Sequence, residues 1–234
     1  MINKIILSPP FSNIYPAIQG TTKITGTYTL KKRRGMHRIL TTLKKTENGW
    51  INNVGLRNPG IKKLNKNNSI ISIALKDKSE WSEILDILIL KKEKYNILGL
   101  EFNISCPNSR TSNITHKIIS EAKKEFNNIS IKVPHNLNYI FIDDICNSEA
   151  NFIHVSNTKP HPKGSLSGTK LIEKNSKIIY YIRNNFNHIN IIAGGGIYSY
   201  EDYLFYLNSG ANYFSLSTLL INPIKTNKLI KKLS

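Results

Sequence analysis

Short apolar runs recur along this chain, and from the third onward each is followed by a stretch with helical spacing. The runs NKIILS (3–8), TKITGTYTL (22–30), SIISIAL (69–75), NILGLEFNIS (96–105), ISIKV (129–133), NFIHVS (151–156), INIIAG (189–194) and NYFSLS (212–217) predict eight core strands. Between the second and third, residues 37–55 read as a hairpin turning at Glu47–Gly49, where Asn-Gly is a turn signal. Helices are predicted from a capping box at Asp77 and Glu80 through about Lys94, and over Ser112–Phe126 and Asn138–Asn147. Three more follow, over Lys170–Asn185, Ser199–Ser209 (Glu201 and Asp202 in its first turn) and Pro223–Lys232. No linker or internal repeat divides the chain, so residues 1–234 are read as one domain. Length and order predict an α/β fold, a single (β/α)8 TIM barrel, with a doubly wound sheet as the alternative. The barrel is preferred because the chemically interesting residues all follow strand ends.

Charge changes this picture little. The formal net charge of +18 invites a nucleic-acid reading, but the lysines are scattered and stand beside Ile and Asn. All three residues have A/T-rich codons, so biased base composition accounts for the excess and a nucleic-acid partner is not expected. The denser basic stretches, KKRRGMHR (Lys31–Arg38) and the C-terminal tail, are read as solvated faces rather than phosphate or acidic-partner contacts. Two cysteines, Cys106 and Cys146, cannot make a disulfide framework, which predicts a reducing, cytoplasmic setting. Neither a membrane span nor a secretory signal is expected.

The candidate chemistry lies after the strands. In AGGGI (Ala193–Ile197), glycines would let the backbone approach a phosphate, and the helix near Ser199 would offer free N–H groups. A tight turn is the plainer reading; three successive glycines favour phosphate. Lys132 is either a lysine snorkelling from a strand end or an anion-stabilising group in a barrel mouth, and both readings stand. Asn is abundant everywhere, so only their position raises Asn52, Asn103, Asn108 and Asn157; as a set, amides suit a flat heterocycle with C=O and N–H groups. Cys106, in a polar loop before Pro107, reads as an accessible base or nucleophile, and Cys146, on an apolar helix face, as a small buried hydrophobe.

The motifs NGWINNVGLRNPG, NISCPN, IKVPHN, VSNT, GSLSG, AGGGI with ED, and SGANYFSLSTLL occur in an order that resembles the dihydroorotate dehydrogenases. The resemblance runs from about Asn48 onward and implies an FMN-binding barrel. It implies oxidation of dihydroorotate to orotate in de novo pyrimidine (UMP) biosynthesis, with a base taking the C5 proton and hydride passing from C6 to flavin N5. Soluble class 1 members use Cys as that base and membrane-associated class 2 members use Ser, so Cys106 resembles the class 1 catalytic base. A thiol near its free pKa is a poor base at neutral pH, so activity should rise with pH. By the same matching, Asn52, Gly55, Leu56, Asn103, Asn108, Asn157 and Thr158 resemble substrate contacts. Lys132 resembles the lysine beside the flavin ring, and Ser156, Gly168, Gly195, Gly196, Ser217 and Thr218 resemble FMN contacts, the last four around its phosphate.

The chain also departs from the family. A second family lysine, in a pattern like Lys-Gly-Thr-Thr-Leu, is replaced by Gly26, with Lys23 out of register. Ser72 stands where an Asn usually touches flavin, and Ser165 where a Gly is usual. These departures bear on flavin affinity and turnover rather than on fold. The class 2 N-terminal extension is missing, which disfavours a quinone acceptor. Fumarate, or NAD through a separate iron–sulfur flavoprotein subunit, stays open, and NPG (Asn58–Gly60) leans toward the second. Class 1 relatives are commonly homodimers. Two rivals remain: a dihydrouridine synthase-like FMN barrel acting on tRNA, and a degenerate barrel kept as a non-catalytic scaffold.

Overall fold

The computed structural model describes residues 2–35, 37–47, 49–104, 114–134, 138–156 and 158–233, with the backbone alone at Ile39 and Leu40. Its strands are β1 (Ile5–Leu7), β2 (Thr21–Tyr28), β3 (Lys44–Thr46), β4 (Gly49–Asn52), β5 (Ser69–Ile73), β6 (Gly99–Asn103), β7 (Ile129–Val133), β8 (Phe152–Val155), β9 (Lys159–His161), β10 (Gly164–Ser167), β11 (Asn190–Gly194) and β12 (Tyr213–Leu216). The helices are α1 (Arg38–Thr41), α2 (Glu80–Lys92), α3 (His116–Glu125), α4 (Tyr139–Cys146), α5 (Ile172–Asn185), α6 (Tyr200–Asn208) and α7 (Pro223–Leu233).

Eight parallel strands close a barrel in the order β1-β12-β11-β8-β7-β6-β5-β2. The eight predicted core strands are these eight. Side chains alternate across each strand, and two separate apolar clusters record it. Ile5, Leu7, Ile71, Ile73, Leu100, Phe102, Ile131 and Val155 pack outward with the helices. Ile6, Ile24, Ile70, Phe152 and Ile192 fill the interior at the lower end. Two residues further up, the interior turns polar: Ser8, Ser72, Glu101, Ser130, His154 and Ser215 are all buried. An apolar plug below and a polar layer above put the chemistry at the C-terminal mouth. No helix among the described residues is long and apolar enough to cross a membrane.

Four local expectations change. The hairpin pairs only between β3 and β4, and Arg38–Thr41 forms a helical turn instead. The residues Asp77 and Glu80 make no capping box: α2 starts at Glu80 with Ser79 as N-cap and no side-chain cap. The Asp77 carboxylate is taken locally by the Ser79 N–H and hydroxyl at 2.9 and 2.6 Å, and Glu80 accepts from the Lys76 N–H at 2.9 Å. Helix α3 begins at His116, where Thr115 caps it by accepting from the Ile118 N–H at 3.4 Å. The hairpin β9–β10 is not anticipated, because Pro160 and Pro162 argue against strands. Pro160 is tolerated since β9 is an edge of the four-stranded sheet β3-β4-β10-β9. That sheet pairs Ser165 with Asn52 and ties the loop after β2 to the loop after β8 across the mouth.

At α6 the acidic first turn does form a capping box between Ser199 and Asp202. Ser199→Ala is expected to cost about 1 kcal/mol of stability, read as a thermal midpoint lowered by roughly 2–4 °C.

Candidate functional site at the barrel mouth

Two adjoining cavities open at the strand ends. The first, about 140 Å³, is lined by Asn52, Gly55, Leu56, Arg57, Asn103, Lys132 and Thr158, with Gly26 and Thr27 in its wall. The second, about 70 Å³, is lined by Lys132, Ser156, Ser167, Gly195, Ser217 and Thr218. They share Pro9, Pro10, Asn52, Lys132 and Thr158. Five predicted substrate contacts therefore meet in one cavity, and five predicted cofactor contacts in its neighbour. The larger side groove of about 470 Å³, between the β3–β4 tip and α7, shares only Thr218 with the predicted residues. Its charged residues Lys45, Glu47 and Lys225 are solvent-exposed, so we do not assign the chemistry there. Cys106, Asn108 and Asn157 lie outside the described residues.

The remaining two predicted cofactor residues, Gly168 and Gly196, meet behind the second cavity. Gly196 has φ +89°, and a Cβ there would stand 2.6 Å from the Gly168 carbonyl oxygen. Gly195 has φ +83°. The carbonyls of this loop are tied back toward the helices: Asn175 Nδ2 donates to Gly194 O at 2.9 Å, and the Tyr206 hydroxyl reaches Gly194 O and Gly195 O at 3.0 and 2.8 Å. Gly195 thus puts bare backbone in the wall of the second cavity, and Gly196 packs against Gly168 behind it. At the start of α6 the capping box occupies part of the backbone, with the Asp202 N–H donating to Ser199 Oγ at 3.1 Å. The N–H groups of Tyr198 and Ser199 both donate to Asp202 Oδ2 at 2.9 Å, so the capping box has taken them. The glycine loop and the turn at Ser217–Thr218 stand together at the second cavity.

Beneath Lys132 lies a polar network that the sequence reading does not single out. Glu101 Oε2 and His154 Nδ1 are 2.6 Å apart, with both side chains essentially inaccessible. Lys132 pairs in register with Asn103 on one side and His154 on the other. Asn103 Nδ2 donates to Thr27 Oγ1 at 2.9 Å, and Thr27 and Ser72 hydroxyls are 3.0 Å apart. Burial works against the Glu101 carboxylate, but His154, Lys132 and Ser72 outweigh it and hold its carboxyl below the ordinary value. Burial lowers Lys132, and the Glu101 charge opposes that. Burial also lowers His154, the Glu101 charge and hydrogen bond oppose that, and Lys132 adds to the lowering; facing a carboxylate, Nδ1 is the donor of the pair. The signal in the sequence was an acid inside an apolar strand, between Leu100 and Phe102.

The missing second lysine has a structural counterpart. Gly26 has φ +123°, and a Cβ would lie 2.4 Å from the Ser72 carbonyl oxygen, so no side chain fits. Asn13 clasps this peptide, accepting from the Gly26 N–H at 2.8 Å and donating to its carbonyl. Lys23 sits at the lower end of β2, level with Leu7, and its Nζ donates to Tyr15 O at 2.6 Å.

Fold and site together define a (β/α)8 barrel whose mouth joins a small cavity walled by Gly195 and hydroxyl side chains to an amide-lined cavity carrying Arg57 and Lys132. Residues 11–234 match the family model described as dihydroorotate dehydrogenase. The chain belongs to the dihydroorotate dehydrogenase family. Among its relatives is the dihydroorotate dehydrogenase B (NAD(+)) catalytic subunit of Thermotoga petrophila, 27% identical over 194 residues, covering 73% of this chain and 72% of that one. The protein of the same description from Malacoplasma penetrans is 26% identical over 227 residues, covering 80% and 72%. The ligand-free DHODH of Eimeria tenella superposes with a TM-score of 0.73 at 17% identity, covering 98% of this chain and 83% of that one, and supports the fold.

Proposed function

We propose that this barrel oxidises dihydroorotate to orotate in pyrimidine biosynthesis, with FMN as its hydride acceptor. The observation that carries this reading is the pair of cavities meeting at Lys132. One side offers amides for a flat heterocycle; the other offers a backbone cradle for a phosphate. FMN fits the residues present, because Gly195, at positive φ, puts bare backbone in the wall of the second cavity beside the hydroxyls of Ser156, Ser217 and Thr218. Gly168, Gly195, Gly196, Ser217 and Thr218 would hold its ribityl phosphate end, and Ser156 and Lys132 its ring. When bound, the flavin supplies hydride acceptance.

This chain's own residues do the rest. Asn52, Asn103 and Thr158, with the backbone at Gly55 and Leu56, orient the substrate ring; Asn108 and Asn157 join them on the family resemblance. Cys106 takes the C5 proton. Lys132 supplies positive charge beside the cofactor. The relatives named as NAD(+)-type catalytic subunits favour electron transfer onward through a separate iron–sulfur flavoprotein subunit. A homodimer acting in the cytoplasm completes the reading.

The test is anaerobic. FMN-loaded protein given dihydroorotate is expected to lose its visible flavin absorbance. A flavin that stays yellow would overturn the substrate, and dihydrouracil-type rings would be tried next. A folded protein that does not bind FMN would overturn the cofactor and favour a scaffold.

A further inference from the structure

We infer that Arg57 is the carboxylate anchor of the substrate cavity and sets its preference for an acidic over a neutral pyrimidine. The inference rests on the dihydroorotate reading and deepens it. The cavity that gathers Asn52, Asn103 and Thr158 has two cationic residues in its lining, Arg57 and Lys132, and no acidic one. They are not equivalent. The charge of Lys132 is met from below by Glu101. Among the described residues Arg57 has no ion-pair partner and its buried Nε has no hydrogen-bond acceptor. A buried, unsatisfied guanidinium nitrogen is costly unless a ligand completes it.

The surroundings deepen the need for an anion. Arg57 and Arg38 both run past Gly35, each with its Cδ 3.6 Å from where a Cβ on that glycine would stand. The loop that leads to Arg38 is fastened to the cavity loop that carries Arg57 by paired backbone bonds: the Arg33 N–H donates to Asn58 O at 2.9 Å, and the Asn58 N–H to Arg33 O at 3.1 Å. Arg33 is therefore held by its backbone beside the cavity loop, while Lys31, Lys32, Arg34 and His37 stay exposed to solvent. Across the cavity, Gly26 leaves a wall that can carry no side chain. Dihydroorotate and orotate bring a carboxylate that asparagine amides cannot neutralise. A guanidinium can meet it with two parallel hydrogen bonds.

The experiment compares orotate with uracil, the same ring without the carboxylate, binding to FMN-loaded protein by calorimetry. In the unchanged protein orotate is expected to bind far more tightly than uracil. In Arg57→Gln, orotate affinity should fall roughly 10- to 100-fold while uracil affinity stays put. Arg57→Lys, which keeps charge but loses the fork, should fall between them. Equal orotate affinity in Arg57→Gln and the unchanged protein would overturn the assignment. So would a parallel loss for both ligands, which is the mark of a structural role. Failure of the unchanged holoprotein to bind orotate would instead overturn the dihydroorotate reading, and this one with it.

Discussion

Cys106→Ala is expected to keep its flavin and to lose reduction by dihydroorotate roughly 10²–10⁴-fold, the usual worth of a positioned general base. The chain reaches Cys106 three residues after Asn103, which ends β6 in the wall of the substrate cavity. The next residue is still anchored there, since the Ile104 N–H donates to Lys132 O at 3.3 Å. The rate of reduction should climb with pH, because the thiolate is the base and an ordinary thiol titrates at about 8.5. Cys106→Ser should retain weak activity displaced to higher pH, a hydroxyl being the poorer base. Cys146 is the built-in control. Burial, helped by Asp143, pushes its thiol up to about 12, and Cys146→Ala should leave flavin reduction unchanged. Stopped-flow bleaching under anaerobic conditions reads all three variants. Equal rates in Cys106→Ala and the unchanged protein would remove Cys106 from the mechanism.

The barrel was legible because its signals are local. Each core strand is a short apolar run, and α4 matches its prediction because Asn138 accepts from the Ile140 N–H and so marks its own N-cap. Signals failed where the deciding partner is distant in sequence. β9 reads as a proline-broken loop until β10 pairs with β4, more than a hundred residues earlier. Asp77 has the spacing of a cap, but Ser79 competes for its carboxylate within two residues. The glycine cradle was visible as three glycines in a row. That Asp202 folds back on the Tyr198 and Ser199 N–H groups is a choice between partners that spacing alone does not decide. Arg57 and the Glu101–His154 pair were hidden for a related reason. Their importance lies in what does and does not face them, and only the closed barrel determines that.

Lys132→Ala is expected to shift the midpoint potential of bound flavin negative by roughly 30–60 mV, about 1.4–2.8 kcal/mol for a two-electron couple, and to weaken FMN retention. Positive charge beside the ring favours its reduced, anionic form, and the other cationic residue lining the substrate cavity, Arg57, is assigned to the substrate. Glu101→Gln tests the support beneath. It preserves shape and can still accept from His154 Nδ1, but it removes the charge that opposes the burial-driven fall of Lys132. The sign follows from the direction of the shift. The ammonium persists below its depressed pKa and is lost as pH rises through it. Without Glu101 that loss moves to lower pH, so the potential of Glu101→Gln should drop below that of the unchanged protein first at the alkaline end. Arg57→Gln, one cavity wall away, should leave the potential profile where it was. Anaerobic redox titrations across pH separate these outcomes. Coincident profiles for Glu101→Gln and the unchanged protein would mean that Lys132 keeps its charge without the carboxylate, and the buried pair would then serve packing alone.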